Sequence, residues 1–78
     1  MDYGSLHLRI EEILKSKGIS KNQLCRTLDI PRANLNRYCR DEFQRLDAGM
    51  LCKLCCYLEV DINDLIEYRR PENLPQLK

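Results

Sequence analysis

Between Gly18 and Pro31 the sequence leaves room for one helix of about two turns and little else. Gly18 follows a periodic apolar stretch at the point where a helix commonly ends in a left-handed residue. Ser20-Lys21-Asn22-Gln23 has the form of a capping box, in which a serine hydroxyl and a glutamine three residues later satisfy amides of a new first turn. Ile19 and Leu24 stand at staple positions around it, and Leu24, Cys25 and Leu28 make a narrow apolar stripe. The stripe stops near Asp29. Pro31 then opens another helix, in whose first turn the missing proline N–H costs nothing. Two short helices joined by Asp29-Ile30 are thus predicted. Cys25 is small enough for close crossing, and Ile30 is placed to plug the gap between them.

The rest of the 78-residue chain extends this pattern on both sides. Leu6, Ile10, Ile13 and Leu14 predict a helix over residues 5–17. Leu35, Tyr38 and Cys39 give the helix after Pro31 an inner face. Asp47 is placed to cap a fourth helix with Leu51, Leu54, Cys55 and Leu58 inward, and Asp61 a fifth, ending near Tyr68, with Leu65 and Ile66 inward. Valine and threonine occur once each, which disfavours sheet. The fold class expected is all-α: one compact five-helix domain over residues 1–68. Residues 69–78, with two prolines and little periodicity, are expected to form an extended or disordered tail.

Charge is unevenly spread. Residues 15–45 carry eight basic side chains against three acidic ones, a net of +5, with −2 on either flank. A basic middle is the footprint of a polyanion partner. The outer face of the third helix carries Arg32, Ala33, Asn36, Arg37 and Arg40, with no carboxylate before Asp41. An arginine-rich face alone is commonly just solvated surface; the paired helices and their caps give this one a functional reading.

Other chemistry finds little support. Cys52, Cys55 and Cys56 fall on one predicted helix, whereas structural zinc takes four ligands, with CxxC pairs usually in turns. Cys55 is a core position, and Cys52 and Cys56, four apart, are placed to edge a dimer interface. His7 has no nucleophile beside it, so no catalytic residue is assigned, and no metal or cofactor is expected. The N-terminus lacks the regions of an export signal, and no stretch approaches the ~18 apolar residues of a membrane span. A cytoplasmic location with all five cysteines reduced is the expectation.

The series from Ile19 to Arg37, followed by Leu51-Cys52-Lys53-Leu54-Cys55-Cys56-Tyr57-Leu58 and Asp61-Ile62-Asn63-Asp64-Leu65-Ile66, resembles the Cro and phage-repressor (XRE) family over about residues 5–68. It departs at three points: Lys21 stands where the family usually has glutamine, Cys25 where it has alanine, and Asp29 where it has glycine. Aspartate tolerates the left-handed conformation, so a normal turn is expected. The resemblance implies a lambda-repressor-like fold and a transcriptional regulator, a repressor, that binds double-stranded DNA, usually as a homodimer. Its recognition helix is residues 31–40. By the same resemblance Arg32, Ala33, Asn36 and Arg37 contact bases, and Ser20, Lys21, Gln23, Arg40, Gln44 and Arg45 contact phosphates. The alternative is a protein-interaction module of the same fold, an antitoxin or adaptor, whose partner surface is the last helix or the tail.

Overall fold

A computed structural model describes residues 2–72. The elements are a strand β1 (Ser5–Leu8), helices α1 (Ile10–Lys17), α2 (Lys21–Leu28), α3 (Arg32–Cys39), α4 (Ala48–Leu58) and α5 (Ile62–Leu65), and a strand β2 (Ile66–Arg69). The five helices stand in the predicted order. Their core is Leu8, Ile10, Leu14, Leu24, Ile30, Leu35, Cys39, Leu54, Leu58 and Leu65, with at least one residue from every helix. Among the described residues no helix is long and apolar enough to cross a membrane.

The breaks fall where local chemistry puts them. Gly18 closes α1 at φ 69°. Ser20 Oγ accepts the Gln23 amide at 3.0 Å, forming the serine half of the expected capping box. Asp29 closes α2 at φ 54°, ψ 50°, the left-handed conformation expected of it, and its N–H donates back to the Cys25 carbonyl. Pro31 sits one residue outside α3 as its cap. Asp47 Oδ2 accepts the Met50 amide at 2.8 Å and opens α4. Asp61 occupies the cap position of α5 but makes no capping hydrogen bond with its side chain. Ile30 is buried between α2 and α3, as its position in the turn requires.

The two ends differ from expectation. Residues 5–8 are not the first turn of α1, and α5 stops at Leu65 rather than near Tyr68. Both segments are extended and pair antiparallel, Ser5 opposite Arg69 and Leu8 opposite Ile66. Arg69, assigned to the tail, is thus the last residue of β2; Arg70–Glu72 follow it, and residues 73–78 of the expected tail lie outside the described residues. Leu6, read as an inward helical position, is 41% exposed, while Leu8 is buried. Strand wins over helix here because the decisive partners are distant in sequence. Besides β2, Asp41 Oδ1 accepts the Leu8 amide at 3.0 Å, and the Arg9 amide donates to the Leu65 carbonyl at 2.8 Å. Gly4, at φ 97°, packs so close to the Arg69 carbonyl that a β-carbon would lie 2.4 Å from it.

Candidate nucleic-acid interface

The α2–α3 pair is built from the back. Leu24, Ile30, Leu35 and Cys39 are buried behind it, which fixes α3 about its own axis. Helical periodicity then sends Arg32, Ala33, Arg37 and Arg40 outward, and all four are exposed. Asn36 is half-buried. The base-contact candidates therefore share one helix, with Asn36 nearest the body of the domain.

The segment after α3 is folded back on it. The Glu42 amide donates to the Arg37 carbonyl at 2.8 Å, and Asp41 turns at φ 59°. The Tyr38 hydroxyl accepts the Asp47 amide at 3.1 Å, and the Tyr38 and Phe43 rings lie 5.7 Å apart at 53°. These contacts pin the loop to α3. Gln44 and Arg45, both exposed, thereby come to line one open depression of about 930 Å³ with Arg37. The depression is not purely basic, since Asp41 and Glu42 line it too.

The remaining phosphate candidates are less free than the sequence suggests. Ser20 is exposed, but its hydroxyl is occupied by the cap. Lys21 Nζ pairs with Glu11 Oε2 of α1 at 3.1 Å. Gln23 is exposed on the first turn of α2, and Arg40 is exposed at the end of α3.

Several participants have no signature in the sequence. Asn22 accepts a hydrogen bond from Arg32 Nη1, and Asn36 Oδ1 accepts one from Arg32 Nε at 3.3 Å. His7 lies between two carboxylates: Nδ1 is 2.7 Å from Asp41 Oδ2 and Nε2 is 2.7 Å from Glu12 Oε2. The hydrogen bonds to Glu12 and then Asp41 raise the His7 pKa above its ordinary 6.5, against the effect of burial. Glu12 is lowered, chiefly by the bond from His7. Asp41 thus joins β1 and α1 to the turn that launches the loop.

The cysteines are all free thiols. Burial raises the Cys39 and Cys55 pKa values, which keeps them protonated and poor nucleophiles. Cys52 and Cys56 are exposed on α4. Among the described residues no group of three or more His, Cys, Asp or Glu side chains is arranged to hold a metal ion.

Comparison with known proteins agrees with this geometry. A family model for the Cro/C1-type HTH (helix-turn-helix) DNA-binding domain matches residues 9–71. A crystal structure of a protein from Bacteroides fragilis, assigned as DNA-binding, superposes with a TM-score of 0.69 at 26% identity, covering 80% of this chain and 98% of that one. The transcriptional regulator VanUg superposes with a TM-score of 0.73 at 15% identity, covering 91% and 93% of the two chains, a likeness of fold. No curated protein matches at a significant level.

Proposed function

We propose that this chain, which belongs to the Cro/C1-type helix-turn-helix DNA-binding family, is a transcriptional regulator, a repressor, with α3 as its recognition helix in the major groove of operator DNA. The observation that carries this reading is the outward face of α3: Arg32, Ala33 and Arg37 are exposed together and no carboxylate lies on the helix, while Leu35 and Cys39 anchor it from behind. A groove about 12 Å wide admits such a helix, and an arginine donates twice to guanine O6 and N7. Ala33 is suited to a thymine methyl. Asn36 completes the base-contacting set.

Arg40, Gln44 and Arg45 grip the phosphates beside α3 and set register without reading sequence. Ser20, Lys21 and Gln23 offer the start of α2 to a second phosphate run, where amides and the helix dipole favour an anion. Lys21 contributes there to the extent that it leaves Glu11. Two copies related by a two-fold axis engage successive major grooves, about 34 Å apart. The second copy is received by the apolar cleft of Leu51, Cys52, Cys55, Val60 and Ile62 at α4 and α5, where Ile62 is half exposed.

Selection from a random duplex pool at moderate salt tests the reading. A regulator enriches one sequence, arranged as two half-sites. A chain that enriches none, or binds every duplex alike, is not one, and the adaptor alternative then stands.

A further inference from the structure

Arg32 opens α3, and its guanidinium is held from two directions. Nε donates to Asn36 Oδ1, one turn along the same helix at 3.3 Å, and Nη1 donates to Asn22 Oδ1 in the first turn of α2. The guanidinium is a rigid plane of donors, so fixing two of its nitrogens fixes the direction of the plane. Nη2 meets no partner among the described residues. Arg32 and Asn22 are both exposed, so the arrangement stands where a ligand would approach.

An untethered arginine at a DNA surface has many non-specific partners, because every phosphate offers acceptors to a side chain that can swing. Such contacts add affinity without reading sequence. Two amide oxygens, one on the stem nitrogen Nε and one on the terminal Nη1, remove much of that freedom and aim the remaining donors, the second N–H of Nη1 and those of Nη2, one way. We propose that Asn22 is a specificity-determining residue that aims Arg32 at a guanine, on the reading that α3 enters the major groove. Asn22 touches no base; it is a positioning residue acting through Arg32. The base is guanine because the free edge of Arg32 holds donors only, and guanine presents the paired acceptors O6 and N7 in the major groove. Asn36 is the second prop. With its Oδ1 shared with Arg32, its two-bond adenine pairing, which needs both amide atoms, is weakened.

The test is selection from a random duplex pool with the wild type, N22A, N22D, R32A and the N22A/R32A pair, with thermal melts showing that each variant is folded. The wild type prefers guanine at one position by about 5- to 150-fold, the range of a good bidentate pair. N22A lowers that preference by about 2- to 12-fold, the cost of ordering one mobile side chain on binding, while affinity for scrambled duplex is held or slightly raised. N22D keeps the preference, since its carboxylate accepts the same bond, but binds every duplex more weakly. In the R32A background N22A changes nothing further. An N22A variant that keeps or sharpens the wild-type preference, or that still acts when Arg32 is absent, overturns the role of Asn22 alone. A wild-type chain that selects no duplex overturns the recognition-helix reading and this inference with it.

Discussion

Raising the pH should loosen the joint between the N-terminal strand and the turn after α3. The group responsible is His7, whose two ring nitrogens each face a carboxylate oxygen at 2.7 Å. A neutral imidazole has one N–H, so only the imidazolium donates to both Glu12 and Asp41. Because folding raises the His7 pKa, its contribution to stability is complete below the ordinary value of 6.5 and is lost as pH rises through the folded value. Glu12 has the opposite sign: its lowered pKa gives stability that is present above the ordinary 4.5 and lost as pH falls through the folded value. The clamp is therefore tightest between about 4.5 and 6.5. A hydrogen bond to a charged group contributes about 1.5–3 kcal/mol. The Glu12 side chain is 56% exposed, and solvent screening brings the loss on deprotonation down to about 1 kcal/mol. In a domain of this size that is a fall in Tm of about 4–8 °C. His7→Gln can satisfy only one carboxylate as a donor at any pH. The assay is thermal unfolding of wild type and variant at pH 6 and pH 9, read as the difference between the two proteins at each pH. The wild-type advantage should shrink by about 1 kcal/mol between these conditions. An advantage independent of pH, or a His7 resonance that titrates at or below 6.5, would refute the clamp.

Arg37→Ala should relax base preference at one position, whereas Arg45→Ala should weaken all duplexes alike and flatten the log–log salt dependence by about 0.9 per protomer; anisotropy titrations that give identical effects sink the division of labour. Glu11→Gln removes the partner of Lys21 and should make the salt dependence steeper, by up to about 0.9 per protomer if Lys21 then meets a phosphate; an unchanged slope places the start of α2 away from the DNA. Leu35→Ala, at a fully buried position between the helices, should cost about 2–5 kcal/mol in urea denaturation, and a loss below about 1 kcal/mol would show that α3 is not anchored there.

The middle of this fold was legible because its signals are local. Gly18, Ser20, Asp29 and Asp47 each act on amides or carbonyls within a few residues, so spacing along the chain suffices to place them. The ribbon was not legible, because its hydrogen bonds join segments about sixty residues apart and the periodicity of Leu6, Ile10, Ile13 and Leu14 fits a helix as well. The outward face of α3 could likewise be read from periodicity. The bonds of Asn22 to Arg32 and of Glu11 to Lys21 could not, since each crosses between helices whose relative placement only the folded chain supplies.

Those crossings redistribute the charge in a way composition hides. The acidic N-terminal segment neutralises the basic middle at one point, where Glu11 takes Lys21; its other contact runs the opposite way, with His7 of that segment between its own Glu12 and Asp41 of the middle. Glu67 is occupied by Arg9 and Arg69 on the ribbon. Among the described residues none of these ion pairs includes Arg32, Arg37, Arg40 or Arg45. Of the eight basic residues of the middle only Lys21 is taken up in these pairs; Lys15, Lys17 and Arg26 on α1 and α2 are in none of them either, so the unpaired positive charge runs from α1 through α2 to α3 and the loop behind it. The neutralised flanks matter as much as the free arginines, because a chain that was basic all over would bind DNA in many orientations. On the proposed reading of α3, Glu11 damps attraction at the start of α2 and Glu67 damps it on the ribbon, while the arginines of α3 and the loop behind it keep their full charge for a polyanion.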